Sequence, residues 1–369
     1  MLADEIDKAQ RKVRTDAYQM SIGEVVGMYD TGEIVIDPEF QRLFRWTISQ
    51  KSKLIESLLL GIPLPPIFVF ERNDGKWELV DGLQRLSTIL EFMGKLHDGT
   101  GRKQSPSILE STKYLPSLHN SVWEKSNFVS DVPLEQQIEI ESSNQLTIKR
   151  ARLSVEILKR PSDENTKYDL FQRLNSGGTL ANAQELRNCI MLMVNKEYFR
   201  EIKAMAETQS FLQVVSISDE QREKQRHMEM AVRFLVHTVI PYDGKLDIEE
   251  YIDEGILTLS QTGKGHAEAA LIANTFDLLN NVAGSDVLRR YENGKHSGKI
   301  GLVGLEVIAV GVAKNLPAIL ALPNAVEFVR EKIQLFWSEP DAVGFTAAGQ
   351  RGTTRIQKTV PFGENWFRP

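Results

Sequence analysis

Residues 80–90 read Val-Asp-Gly-Leu-Gln-Arg-Leu-Ser-Thr-Ile-Leu, an acid and a glycine followed closely by an amide and a guanidinium. Trp77 to Val80 has strand character, Asp81-Gly82 makes a turn, and Leu83, Leu86, Leu90 and Met93 recur at helical spacing. A strand that turns into a helix leaves unpaired amides at the helix's first turn. Those amides, with the positive end of the dipole, attract an anion. Gln84 and Arg85 fall on the face opposite the leucines, placed to meet a phosphate. A plainer arrangement suits the same letters: Asp81 N-caps the helix and Arg85 is a surface charge.

Two further clusters carry similar chemistry. In Phe40-Gln-Arg-Leu-Phe-Arg45, Gln41, Arg42 and Arg45 offer planar, forked donors that fit phosphate or carboxylate, or that bridge loop carbonyls. In Phe171-Gln-Arg-Leu-Asn-Ser-Gly-Gly-Thr179, the paired glycines suit a helix C-cap. Asn175 beside those flexible amides equally suits a nucleotide contact or a held water.

Other chemistries are missing from the sequence. Thr262-Gly-Lys-Gly265 lacks the upstream glycine and the following hydroxyl of a Walker A loop. The six histidines (His97, His119, His227, His237, His266 and His296) lack metal-ligand spacing, and no His-Asn-His pairing stands in the C-terminal half. One cysteine makes a Cys-x-x-Cys zinc site impossible, and no Gly-x-Ser-x-Gly elbow occurs. Any nucleotide chemistry here is not that of a P-loop.

The surrounding elements are legible from periodicity and punctuation. The first 16 residues read as a polar helix or loose arm. Ser21 caps a short amphipathic helix to Asp30, Gly32 ends it, and Glu33–Ile36 is a strand. Asp37–Trp46 is irregular, and a helix runs from about Ser49 to Leu60 until Gly61-Ile-Pro-Leu-Pro-Pro66 stops it. Ile67–Phe70 and Trp77–Val80 form a hairpin through Asn73-Asp-Gly-Lys76. Residues 98–150 read as an excursion with one or two short helices, and Arg152–Leu158 alternates as a strand. Helices follow at Asn165–Leu174 and from Asn182, with a capping-box pattern to Glu185, onward to about Ile202. Beyond Phe211 the pattern is helical, with segments at 219–239, 247–259, 266–281, 300–314 and 324–337.

The expected fold class is therefore α+β, a small mixed sheet in an N-terminal domain (17–205) followed by an all-helical domain (206–369). A chain of 369 residues with 41% hydrophobic and 25% charged residues suits a soluble globular protein of two domains. The lone Cys189 reads as a small buried residue and fits a reducing compartment. A charged N-terminus without a signal peptide, and no apolar run of about 20 residues, point to a cytoplasmic protein with no membrane partner. A net charge of −6 argues against a lysine-coated nucleic-acid binder. Local basic clusters remain at Lys149, Arg150 and Arg152, at Lys159 and Arg160, and at Arg351, Arg355 and Lys358.

Together these blocks resemble a known family. Asp37–Trp46, the helix ending Leu58-Leu-Leu-Gly-Ile-Pro-Leu-Pro-Pro66, and Val80-Asp-Gly-Leu-Gln-Arg-Leu-Ser-Thr-Ile89 are similar to the GmrSD-type restriction-endonuclease N-terminal domain. Phe171–Leu180 and Glu185-Leu-Arg-Asn188 match its downstream block, and Arg226-His-Met-Glu-Met-Ala-Val-Arg-Phe234 resembles a helical motif further on. The resemblance implies a ParB/sulfiredoxin-like fold that binds, and hydrolyses with Mg²⁺, a nucleoside triphosphate in restriction of foreign, often modified, phage DNA. By resemblance, Asp81, Gly82, Gln84 and Arg85 are the core of the site. Asp81 holds Mg²⁺ or orients water, and Arg85 neutralises charge on the phosphoryl oxygens. Gln41, Arg42 and Arg45 close over the phosphates from a facing loop, Arg173, Asn175, Gly177 and Gly178 line the opposite wall, and Thr88 completes the phosphate contacts.

The chain departs from that family in two ways. Leu83 stands where a first glutamine is usual, and its helical phase puts it with the core leucines. No His-Asn-His nuclease signature follows, so the chain resembles a stand-alone form that needs a separate nuclease or effector partner. Two other readings stay open: a non-enzymatic DNA- or protein-binding module with a vestigial site, and a ParB-like fold that itself cuts DNA. The nucleotide, the DNA modification and the oligomeric state are not written in the sequence.

Overall fold

The computed structural model describes residues 14–37, 46–98, 100–129, 132–159, 183–346 and 351–369. The chain packs as two compact units, residues 1–180 and 181–369. This division falls earlier than the expected boundary after residue 205. The helices Ala183–Val194 and Lys196–Ala206 pack against later helices and belong to the second unit.

The first unit is a five-stranded mixed sheet with helices. Its elements are β1 (Arg14–Ser21), α1 (Ile22–Asp30), β2 (Ile34–Val35), α2 (Ile48–Leu59), β3 (Ile67–Glu71), β4 (Trp77–Asp81) and α3 (Leu83–Phe92). Then come β5 (Ser121–Val122), β6 (Ile138–Glu139), α4 (Ser142–Arg150) and β7 (Arg152–Lys159). The sheet order is β1-β7-β3-β4-β2, with β1/β7 and β3/β4 antiparallel and β3/β7 and β2/β4 parallel. Buried Val69, Val80, Val155 and Ile157 of the sheet share the core with Val25, Ile55, Leu86, Ile89 and Leu90 of the helices.

Local chemistry sets the element ends. Ser21 and Thr47 each make a capping box, with Glu24 and Gln50, at the starts of α1 and α2. The strand β1 corrects the polar-helix reading of the first residues where they are described. Ala17, Tyr18 and Gln19 are exposed on this edge strand, so no buried stripe marks it. It forms by pairing with β7, Met20 opposite Leu153, and the Asp16 carboxylate meets Lys159 Nζ at 2.6 Å. Within the 98–150 excursion, α4 and two 3₁₀ turns accompany a two-stranded parallel pair, β5 with β6, that periodicity did not reveal. The expected helix at 165–174 lies outside the described residues.

The second unit is helical: α5 (Ala183–Val194), α6 (Lys196–Ala206), α7 (Gln209–Val215), α8 (Asp219–Glu223), α9 (Arg226–Val239), α10 (Ile248–Thr262) and α11 (His266–Ala283). A small hairpin, β8 (Arg290–Glu292) with β9 (Lys295–Ser297), precedes a π-helical stretch, Gly304–Ala309. The chain then continues into α12 (Val310–Lys314), α13 (Leu316–Leu320), α14 (Ala325–Phe336), α15 (Pro340–Phe345) and α16 (Gly352–Trp366). The segment read as one helix over 219–239 is two, because buried Gln225 takes a left-handed backbone at φ 61°. Cys189 is buried and unbonded to another cysteine, as its apolar surroundings imply. Among the described residues, no helix is long and apolar enough to cross a membrane.

Candidate functional site

The end of β4 is shaped by a register shift. Val69 faces Leu79 while Phe68 faces Asp81, so Val80 is an extra residue in β4 immediately before the acid. Bulges of this kind re-aim the side chain that follows. Gly82 then turns the chain with φ 95°. A Cβ there would stand 2.4 Å from Ile67 Cγ2, so both the backbone angle and the space demand glycine. Gly82, and not Asp81, is the N-cap residue of α3, and no side chain caps the helix. Leu86 donates the first intrahelical bond, to the Gly82 carbonyl at 2.9 Å.

Arg85 is not a surface charge. Its side chain is 11% exposed, and Nη2 donates to Asp81 Oδ2 at 3.2 Å and to the Pro66 carbonyl at 2.9 Å. Its Nε is buried and has no hydrogen-bond partner among the described residues. Pro66 was readable only as a helix stop. Its deeper role is to hold a carbonyl against Arg85, and the rigidity of a Pro-Pro pair was the available signal. Gln84 is half-buried and accepts the Trp46 N–H at 3.2 Å through Oε1, tying α3 to the residue before the α2 cap. A buried pair, Lys51 Nζ with Glu91 Oε2 at 2.6 Å, joins α2 to α3 further along. Leu83 is buried among the core side chains, in agreement with its helical phase.

Thr88 corrects its expected phosphate contact. It is fully buried one turn beyond Gln84, and its hydroxyl donates to the Gln84 carbonyl at 2.7 Å. It therefore supports the turn that carries Gln84. Gln41, Arg42, Arg45, Arg173, Asn175, Gly177 and Gly178 lie outside the described residues.

The second unit gathers the two downstream motifs. Arg187 of α5 is 1% exposed and binds Glu249 Oε2 at 2.6 Å and Asp253 Oδ1 at 2.7 Å. Arg233 of α9 binds the other oxygen of Glu249 at 2.6 Å and Glu229 at 2.9 Å. Burial alone would raise the Glu249 pKa, but Arg187 and Arg233 outweigh it and hold the carboxyl below its usual range. Glu249, on α10, was the residue that sequence reading missed, because it lies outside both motifs. The basic clusters are partly absorbed in the same way: Arg355 pairs with buried Glu306, and Lys149 Nζ sits 5.5 Å over the Trp123 ring.

Among the described residues, no group of three or more histidine, cysteine or acidic side chains is placed to hold a metal ion. Asp81 is a single carboxylate, a donor set that suits only an ion whose remaining ligands come from phosphate and water.

With this geometry in view, comparison with known proteins is informative. Residues 22–192 match the model of the GmrSD restriction endonuclease, N-terminal domain. This stretch is similar to a GmrSD-type N-terminal domain. The match begins at the first residue of α1, takes in the whole Asp81–Arg85 turn and ends within α5. The GmrSD-type domain thus includes Arg187 and Asn188, while their partners Glu249 and Gln225 lie beyond it. No curated protein matches the chain.

Proposed function

We propose that the turn at Asp81–Arg85 binds the phosphates of a nucleoside triphosphate, and that its hydrolysis serves restriction of foreign DNA. The observation that carries this reading is Arg85: a buried guanidinium whose Nε has no partner among the described residues, beside a helix start that none of their side chains caps. Uncapped amides and a guanidinium together favour an anion of high charge. The similarity of residues 22–192 to the N-terminal domain of a restriction endonuclease supports the defence role.

In this reading the phosphates meet the first amides of α3, with Gly82 allowing the close backbone approach. Arg85 neutralises charge that builds on the transferring phosphoryl oxygens, and Asp81 orients the attacking water. Alternatively Asp81 would hold Mg²⁺, which would supply further charge neutralisation. Gln84 holds the Trp46 N–H. By the family resemblance, Gln41, Arg42, Arg45, Arg173, Asn175, Gly177 and Gly178 contribute the further phosphate contacts. DNA and a separate nuclease or effector protein are the partners this reading requires.

Phosphate release from ATP, GTP, CTP and UTP with Mg²⁺ tests it. Turnover by the wild type should fall at least about 100-fold in Arg85→Ala, the loss typical of one charge-stabilising donor. Turnover unchanged in a folded Arg85→Ala protein would refute the assignment.

A further inference from the structure

The 98–150 excursion carries a group of side chains that the Asp81–Arg85 turn does not use. They line a cleft of about 480 Å³, within the size range of small-ligand sites. The cleft begins at Phe92, the last residue of α3, so the two sites stand at opposite ends of one helix. Ten residues of α3 separate them by about 15 Å.

Phe128 is the most exposed large apolar side chain among the described residues, at 79%. Its exposure is built. The Phe128 N–H donates to Ser126 Oγ at 3.1 Å, and its carbonyl accepts from the Ser105 hydroxyl. Buried Gln137 accepts the Ser126 N–H at 2.9 Å and donates to the carbonyls of Ser126 at 3.0 Å and Val132 at 2.9 Å. Beneath this loop, Ile108, Val122 and Val129 form a small apolar cluster with Val132. A ring held in water by a fixed loop adds nothing to the core and leaves an apolar face on the cleft wall.

The other cleft residues say what it contacts. Trp123 is half-buried and edge-on to Phe92, with ring centroids 5.8 Å apart. Gln104 is half-buried, and its side-chain amide makes no hydrogen bond among the described residues. Lys103 and Lys125 are exposed at the cleft, and their ammonium groups form no ion pair among the described residues, although the Lys125 N–H donates to Glu139 Oε2 at 3.2 Å; Glu124 is the one acid among the described residues that line it. Lys95, also at the cleft, is paired with Asp30 at 2.6 Å. Flat rings, a planar amide and free ammonium groups match a base, its hydrogen-bonding edge and its flanking phosphates.

We propose that this cleft stacks a base of single-stranded nucleic acid, with Lys103 and Lys125 on the neighbouring phosphates. A paired duplex hides base faces, so the single strand is the occupant. The inference stands apart from the nucleotide reading at Asp81–Arg85, which uses other residues.

Fluorescence anisotropy of the full chain with labelled oligodeoxyuridylate and oligouridylate tests the site. Binding to a single strand should exceed binding to a duplex of equal length. Whichever of the two oligonucleotides binds more tightly identifies the sugar. Phe128→Ala, at an exposed position, should weaken binding about tenfold. Lys103→Glu with Lys125→Glu should weaken it and flatten its salt dependence. No binding by the wild type, tighter binding of duplex, or wild-type affinity in both variants would overturn the proposal. A thermal shift with nucleoside triphosphate, unchanged in Phe128→Ala, keeps the two sites distinguishable.

Discussion

The Arg85 guanidinium meets the Asp81 carboxylate at 3.2 Å, one helical turn earlier, across the left-handed Gly82 that joins β4 to α3. The pair places opposite charges at an uncapped helix start, with the Pro66 carbonyl holding the arginine from a third element. An ion pair between partly buried groups is held together by its setting as much as by its own attraction. A triphosphate entering there would compete with Asp81 for Arg85, whose buried Nε has no partner among the described residues.

Gly82 should be the least replaceable glycine of the turn. Gly82→Ala brings a Cβ to 2.4 Å from Ile67 Cγ2 at φ 95° and should cost about 2–4 kcal/mol. Gly32→Ala, at φ 72° with no atom within 4 Å, should cost only about 1 kcal/mol of backbone strain. Urea denaturation of both variants measures the difference. Equal losses would mean that the contact with Ile67 relaxes at no cost.

The buried Glu306 in the π-helical stretch depends on its partners. Arg355 donates to it at 2.8 Å and 3.0 Å, and the Thr359 hydroxyl at 2.8 Å. Arg355→Ala should destabilise the protein by about 3–5 kcal/mol, because it leaves a charge buried without its countercharge. The double variant Glu306→Leu with Arg355→Met should recover most of that loss. A double-mutant cycle by chemical denaturation with no coupling would show the pair to be independent.

His237 sets a pH dependence. Burial first, then the positive charges of Arg233 and Arg355, pushes its pKa down from 6.5 to about 3. The native state therefore keeps His237 neutral while the unfolded chain protonates it. This contribution is fully present above pH 6.5 and is lost as pH falls from there toward 3. At pH 5.5 the loss should be about 1 kcal/mol. His237→Phe keeps a ring against Tyr251 and should remove that portion of the slope. Melting temperatures of both proteins from pH 7.5 to 5 check it, and identical slopes would contradict it.

Much of this architecture was legible because local signals agreed with tertiary packing. Ser21, the Asn73–Lys76 turn and the leucines of α3 each state their element in a few letters, whereas the Thr47 capping box that starts α2 stands two residues before the helix start near Ser49 read from the sequence. Features fixed at long range left no such mark. The strand β1 depends on pairing with β7, far along the chain, and exposes Ala17, Tyr18 and Gln19. Gln225 breaks a periodic helix through one left-handed residue that side-chain spacing cannot show. The helix α16 was hidden by Pro361 within it. At the site, Asp81, Gly82 and Arg85 were readable as a turn with charge. The Pro66 contact and the burial of Thr88 depend on how β3 and α3 meet, and the letters alone do not give that.

The central claim is that a nucleotide binds at residues 81–85, and a thermal-shift panel tests it most directly. ATP, GTP, CTP and UTP with Mg²⁺ would be compared on wild type and Arg85→Ala. A ligand at about 100 times its dissociation constant adds about 2.7 kcal/mol of stability. The account predicts a raised melting temperature for at least one nucleotide in the wild type and none in Arg85→Ala. A shift of equal size in both proteins would place the nucleotide elsewhere, and no shift in a folded wild type would contradict the claim.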